Sequence, residues 1–196
     1  GIATEKAAIM DGLRPGGCAV LPADRPVSPI LLAKAAETGA KTLTFGTAAM
    51  ADYRLLNVKI CDTATVAQAS RHGKPFLYKV LSPGGHFAAN GLGALAVAEA
   101  LGLDPAMSAA DLGRWSPPAG RGMRETILLD LVDETSFDLI DDAYNANPTS
   151  MAAALDVLIA AQPKHGVGRV GRGRRIANLG EMLERGHTAP DLHKGI

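Results

Sequence analysis

Two aspartates, a tyrosine and two asparagines crowd into Asp141-Asp-Ala-Tyr-Asn-Ala-Asn147, and Pro148 follows at once. Ionised carboxylates only accept hydrogen bonds, amides donate and accept, and a phenol does either. Asp141 and Asp142 suit a ribose hydroxyl or a metal-bound water. Asn145 and Asn147 can orient a polar substrate. The same residue types also build ordinary turns, where Asn and Asp bond to nearby backbone, so the run alone leaves both readings open.

Three further places carry usable chemistry. In Ser82-Pro-Gly-Gly-His-Phe-Ala-Ala-Asn90, glycines lead into a helix, with His86 and Asn90 one turn apart. A helix start offers unpaired N–H groups and a positive dipole end to an anion or nucleotide; a helix-cap histidine and a satisfied asparagine are the plain alternative. Arg121 stands between Gly120 and Gly122, where a guanidinium can reach a phosphate or simply be solvated. Lys6 reads as a surface lysine when taken alone.

Other patterns argue against themselves. Residues 166–171 match G-x-G-x-x-G, but a helix precedes and a strand is expected after. The dinucleotide fingerprint needs the reverse order. With Arg169, Arg172, Arg174 and Arg175 the stretch reads as a basic connector. Stacking aromatics for nucleic acid are missing there. A phosphate-binding G-x-x-x-x-G-K-[ST] loop, a nucleophile elbow and an HExxH pair are also missing from these 196 residues.

The elements that must position these groups follow from periodicity. Apolar spacing predicts a helix over 2–13, with Ile2, Ile9, Met10 and Leu13 on one face. A buried strand follows at 18–21, then a helix over 28–37 with Ser28 as N-cap, ending at Gly39. A second strand over 41–45 makes a strand–helix–strand unit of the parallel kind. Strands are expected over 53–62 and 75–81, separated by a polar, mobile stretch. A deeply buried helix spans 87–101, and a short one follows near Pro105. Trp115-Ser-Pro-Pro-Ala-Gly-Arg-Gly122 reads as a linker, with a domain boundary near Pro118. Beyond it come strands over 125–131 and 137–141, a helix over 149–161, a basic loop and a strand over 175–179.

Composition agrees with an α/β fold: 47% of residues are hydrophobic but only 4% aromatic, which favours closely packed layers over an aromatic-rich sandwich. Twenty basic and twenty acidic residues cancel, so nothing global points to nucleic acid. No apolar run has membrane-spanning length. Cys18 and Cys61 are too few and too distant for a disulfide framework or zinc site, and a reducing, cytoplasmic setting is expected. Both ends read as cuts through a longer protein.

The order of these pieces resembles the Mur ligases, ATP-dependent enzymes of peptidoglycan precursor synthesis. Four stretches carry the likeness: Ile2-Ala-Thr-Glu-Lys-Ala-Ala-Ile-Met-Asp-Gly-Leu13 with Gly-Gly-Cys-Ala-Val-Leu-Pro-Ala-Asp24; Gly85-His-Phe-Ala-Ala-Asn90; Pro118-Ala-Gly-Arg121; and residues 141–155 with 175–186. The resemblance implies that residues 1–118 are part of a central ATPase-type α/β domain and that 119–196 begin a Rossmann-like C-terminal domain. Within the family the 141–148 run is most like the members that join D-Ala-D-Ala to UDP-N-acetylmuramoyl-tripeptide through an acyl phosphate, which would make those two molecules the substrates, ATP the nucleotide and Mg²⁺ the metal. Lys6 would be the lysine carbamylated to a metal ligand. His86 and Asn90 would lie on the adenine side. Arg121 would be a hinge arginine reaching the terminal phosphate. Asp142 and Tyr144 would serve the nucleotide, and Asn145 and Asn147 the incoming substrate. Closure about the hinge would bring Arg121 and Asp142 to the nucleotide. The complete protein is expected to be monomeric.

Some positions depart from the family pattern: Phe87 for asparagine, Ala8 for an acid, Asn178 for an aliphatic residue and Glu181 for aspartate. The phosphate-gripping loop is not in this sequence. The purified 196-residue chain is therefore predicted to release no phosphate from ATP in the presence of both substrates, which a phosphate-release assay checks. The alternative is a non-catalytic fragment or interaction module from a truncated or split gene.

Overall fold

The computed structural model describes residues 1–166, 168, 171–183 and 189–195. They form two compact units. The first holds 1–59, 65–80 and 85–114; the second holds 60–64, 81–84 and 115–196.

The first unit is built on a five-stranded sheet of order β1-β2-β3-β4-β5. β1 (Cys18–Pro22) and β2 (Lys41–Gly46) run parallel, in register from Cys18 opposite Lys41 to Pro22 opposite Phe45. Parallel neighbours need a crossover, and α2 (Ser28–Glu37) supplies it. Ser28 is not the N-cap, however. Val27 takes that place, and the Ser28 hydroxyl accepts from the Arg25 N–H at 3.0 Å. Pro29 at the start of the helix fixes the entry instead.

The opening helix also differs from expectation. α1 covers Ile2–Ala7 and tightens into a 3-10 turn over Ala8–Gly12. Ala7 and Met10 are the residues that pack inward, three apart, which suits three residues per turn. Ile2 and Ile9 stay 82% and 81% exposed.

β3 (Tyr53–Ile60) runs parallel to β2. The expected mobile stretch after it is instead β4 (Thr65–Arg71), paired antiparallel with β5 (Lys74–Val80). Thr65, Ala67 and Ala69 alternate inward at 0% exposure, and Gln68 and Ser70 take the other face. Small side chains hid that alternation. The two-residue turn is His72 and Gly73, with φ of 46° and 81°. This positive-φ geometry matches the twist of the flanking strands. α3 (Gly85–Ala100) lies over the sheet, and its Phe87, Ala88, Leu92, Leu95 and Ala96 join Tyr53, Tyr78 and Val80 in the main core. α4 (Pro105–Leu112) is capped by Asp104, whose carboxylate accepts from the Met107 N–H at 2.8 Å.

The second unit pairs β6 (Met123–Leu128) antiparallel with β7 (Ser136–Asp141), Met123 opposite Asp141. α5 (Pro148–Ala160) follows, and a short α6 spans Ala189–Lys194. Arg124 on β6 bonds Asp62 and Asp138 at once, at 2.9 and 2.8 Å. The strand expected over 175–179 is not formed: the segment carries no regular secondary structure, and Ile176 and Leu179 are exposed. A strand needs a partner's edge to pair with, and residues 175–179 pair with none among the described residues. Part of the basic connector, Val167, Arg169 and Val170, and the end of the 175–186 stretch lie outside the described residues.

Candidate functional site

Lys6, His86 and Asn90 belong to the first unit; Arg121, Asp142, Tyr144, Asn145 and Asn147 belong to the second.

In the second unit the end of β7 is a knot of backbone bonds. The Asp141 carboxylate accepts from the Gly120 N–H at 3.0 Å and the Ala143 N–H at 3.2 Å. Its carbonyl accepts from the Gly122 N–H at 2.8 Å, and the Tyr144 N–H donates to the Gly120 carbonyl at 2.9 Å. These bonds staple the 120–122 turn to the 141–144 loop. Arg121 then lies over the Tyr144 ring, its guanidinium carbon 3.9 Å from the centroid. Tyr144 is 67% exposed and Arg121 is exposed. A guanidinium with one face on a ring keeps its in-plane N–H fork open, and that fork matches two oxygens of a phosphate or carboxylate. Burial here is slight, so the stacking itself contributes about 0.5–1 kcal/mol; its value is in fixing the direction of the fork.

Asp142, the next residue, is exposed. The Asn145 side-chain oxygen accepts from the Ala146 N–H at 2.8 Å. Asn147 is the N-cap of α5, in a reciprocal capping box with Ser150. Both asparagine carbonyls therefore serve the local backbone, which fixes where their amide ends begin. Residue type alone leaves Asp141 and Asp142 alike, and the resemblance singles out Asp142; in the structure Asp141 organises the turn and Asp142 is exposed. Alternation at the end of a strand was the signal that could have divided them.

Gly120 has φ of +75°, and a Cβ there would sit 3.2 Å from the Tyr144 Cβ. Replacing it with alanine is expected to cost about 1–2 kcal/mol through the left-handed backbone and the crowding. Urea unfolding followed by the single tryptophan, Trp115, measures this, and an unchanged midpoint would show that the turn is not held as described.

In the first unit His86 and Asn90 share the exposed side of α3, as an i, i+4 pair should. Phe87 turns the other way, 9% exposed and in the core, with its ring centroid 4.1 Å from that of His86. The first turn of α3 is tied to β5 by the Tyr78 hydroxyl, which donates to the Ala88 carbonyl at 2.5 Å. Burial holds that phenol above its ordinary range. A further acid escaped the sequence reading: Asp24, just past β1, accepts from both the N–H and the hydroxyl of Thr47, just past β2, at 2.6 Å each. Those bonds hold its carboxyl below the usual value. The pair lies at the carboxyl ends of parallel strands, the side where open α/β sheets take ligands. Lys6 is exposed on α1 and makes no hydrogen bond or ion pair with the described residues.

The family model of the Mur ligase middle domain matches residues 1–98. The chain belongs to the Mur ligase family. Among curated Mur ligases, it is 31% identical over 195 residues to a UDP-N-acetylmuramoyl-tripeptide–D-alanyl-D-alanine ligase of Bacillus subtilis, covering 99% of this chain and 38% of that protein. It is 32% identical over 161 residues to a UDP-N-acetylmuramate–L-alanine ligase of Kineococcus radiotolerans, covering 82% of the chain and 32% of that protein. The fold is shared with the crystal structure of MurF from Acinetobacter baumannii, with a TM-score of 0.81 at 22% identity over 98% of this chain and 38% of that one. It is also shared with MurF ligase from Thermotoga maritima in complex with ADP, with a TM-score of 0.67 at 22% identity over 92% and 37%. The chain thus spans less than two-fifths of the Mur ligases it matches. Phe87, which departs from the family pattern, packs into the core, while His86 and Asn90 are exposed.

Proposed function

We propose that this chain is part of a cytoplasmic Mur ligase that joins D-Ala-D-Ala to UDP-N-acetylmuramoyl-tripeptide with ATP. The observation that carries this reading is the extent of the Bacillus subtilis similarity. It runs over 195 residues and so includes the 141–148 run beyond the middle domain. Similarity to L-alanine-adding relatives covers less of the chain, which favours this substrate pair.

In this reading ATP supplies a phosphoryl group that turns the tripeptide carboxylate into an acyl phosphate, and the amine of D-Ala-D-Ala displaces phosphate to form the amide. His86 and Asn90 take the adenine side. Arg121, aimed by Tyr144, takes phosphate oxygens as charge collects on them, the interaction that contributes most in phosphoryl transfer. Asp142 and Tyr144 contribute to nucleotide binding, and Asn145 and Asn147 orient the amine substrate. Lys6, as a carbamate, would give Mg²⁺ one oxygen ligand. Among the described residues no three His, Cys, Asp or Glu side chains gather to hold a metal ion, and Mg²⁺ is commonly held by one or two such oxygens plus water and phosphate. Among the described residues no helix is long and apolar enough to cross a membrane.

Calorimetric titration of ATP with Mg²⁺ into the chain tests the reading. Millimolar or tighter binding is expected, weakened about tenfold in Arg121→Ala, the scale of one charge-assisted contact, and also reduced in Asn90→Ala. No binding by the wild-type chain would leave the non-catalytic fragment as the better account.

A further inference from the structure

A cavity of about 800 Å³ opens beside β5, with Phe76, Tyr78 and Leu95 on one side and Ala106, Ala109 and Ala110 of α4 on the other. Ala109 and Leu112 of α4 pack against the core, but no α4 residue is fully buried, and a slot remains between helix and strand. β5 is the last strand of its sheet. Lys74 pairs with Arg71 across the two-residue turn, and the ladder alternates from there. The N–H and C=O of Leu77 and the N–H of Lys79 are therefore directed to the open edge. Leu77 is 68% exposed. Lys74 and Lys79, at the two ends of the strand, line the cavity and have no hydrogen-bond or ion-pair partner among the described residues.

We propose that this groove binds an extended acidic peptide of another protein, which adds to β5 as a sixth strand. Its carboxylates would meet Lys74 and Lys79, and its apolar side chains would fill the slot over Tyr78 and Leu95. The narrow alanine wall lets a backbone approach, edge hydrogen bonds supply affinity, and alternate side chains supply selectivity. Five residues of strand span about 17 Å, so the matching acids stand at i and i+5, on opposite faces like the two lysines. Charge argues against a second copy of β5 as the occupant: it would bring two more lysines and no acid to this edge. Lysines and a proline such as Pro75 also guard sheet edges against self-association, and the test separates that role from binding.

Fluorescein-labelled Glu-Val-Thr-Val-Thr-Glu is titrated into the full chain by anisotropy, beside Lys-Val-Thr-Val-Thr-Lys. Saturable binding of the acidic probe is expected, about tenfold or more tighter than the basic one and weakened by salt. The Leu77 amide should become protected from hydrogen exchange. In the Lys74→Glu/Lys79→Glu double variant the preference should reverse, a gain that a misfolded variant would not show. Absence of saturable binding by the acidic probe, equal binding of both probes, or an unreversed preference in a folded double variant overturns the proposal. So does self-association of Lys74→Thr/Lys79→Thr by sedimentation with no probe binding to the wild type, which would leave the lysines as edge guards.

Discussion

Arg124→Ala is expected to destabilise the second unit by about 2–4 kcal/mol, with the unfolding midpoint seen by Trp115 falling accordingly. Arg124 donates to the Asp62 carbonyl and carboxylate at 2.8 and 2.9 Å and to Asp138 at 2.8 Å. Its side chain is 19% exposed and that of Asp138 is 17%. Removing the cation leaves two carboxylates that repel, one of them largely out of water. Lys164, 3.1 Å from Asp138 but 55% exposed, recovers only part of the loss. Asp62 is 41% exposed and resolvates readily, which keeps the estimate below that of a fully buried pair. Arg124→Lys should recover less than half, because one ammonium cannot address two carboxylates with a planar fork.

The same knot sets a pH dependence. The Arg124 guanidinium, helped by Thr126 and Lys164 against the effect of burial, holds Asp138 at about 2. Because the folded value lies below the unfolded one, the stabilisation is complete above the ordinary aspartate range and is lost as pH falls toward 2. Arg124→Ala should flatten this acid limb. A variant with an unchanged midpoint at pH 7 and an unchanged acid limb would mean that Arg124 is not the centre of the knot.

Legibility followed side-chain size and sequence distance. Helix α3, rich in leucine and alanine, and the β1–α2–β2 unit announce themselves through apolar runs and Gly39. β4 does not, because its inward residues are threonine and alanine, and only their pairing with Phe76 and Tyr78 makes them core. The strand expected over 175–179 failed for the opposite reason: its apolar pattern is adequate, but pairing is a property of two segments. At the site, Arg121 and Tyr144 were separately legible as residue types. Their stacking was not, since it rests on Asp141 reaching back to Gly120 across twenty-one positions. Asp24 and Thr47 escaped for the same cause, twenty-three residues apart in the chain and 2.6 Å apart in the fold. Sequence spacing carries the chemistry of a group, whereas its partner at long range has to come from the packing.

Glu99→Ala is expected to cost the first unit about 2–4 kcal/mol, because one carboxylate closes four elements. The Tyr53 hydroxyl at the start of β3 donates to Glu99 Oε2 at 2.6 Å, and the Arg71 Nε at the end of β4 donates to the same oxygen. The His72 ring in the hairpin turn meets Oε1 at 2.8 Å, and Glu99 itself sits on α3. Tyr53 is 2% exposed, so its hydroxyl would lose its partner where water does not easily replace it. Arg71 and His72 are 38% and 44% exposed and would resolvate, so the tyrosine dominates the loss. Burial pushes the Glu99 carboxyl up, but the bonds from Tyr53, His72 and Arg71 together outweigh it and hold the group at about 2. A folded value below the unfolded 4.5 stabilises fully above that pH and fades as pH falls toward 2. Glu99→Gln keeps the shape without the charge, so its deficit against wild type should be large at pH 7 and shrink by pH 3. Urea unfolding at the two pH values, with hydrogen exchange of the Thr65–Arg71 amides as the local readout, checks this. A pH-independent deficit would mean that packing, and not the ionised carboxylate, joins the hairpin to α3.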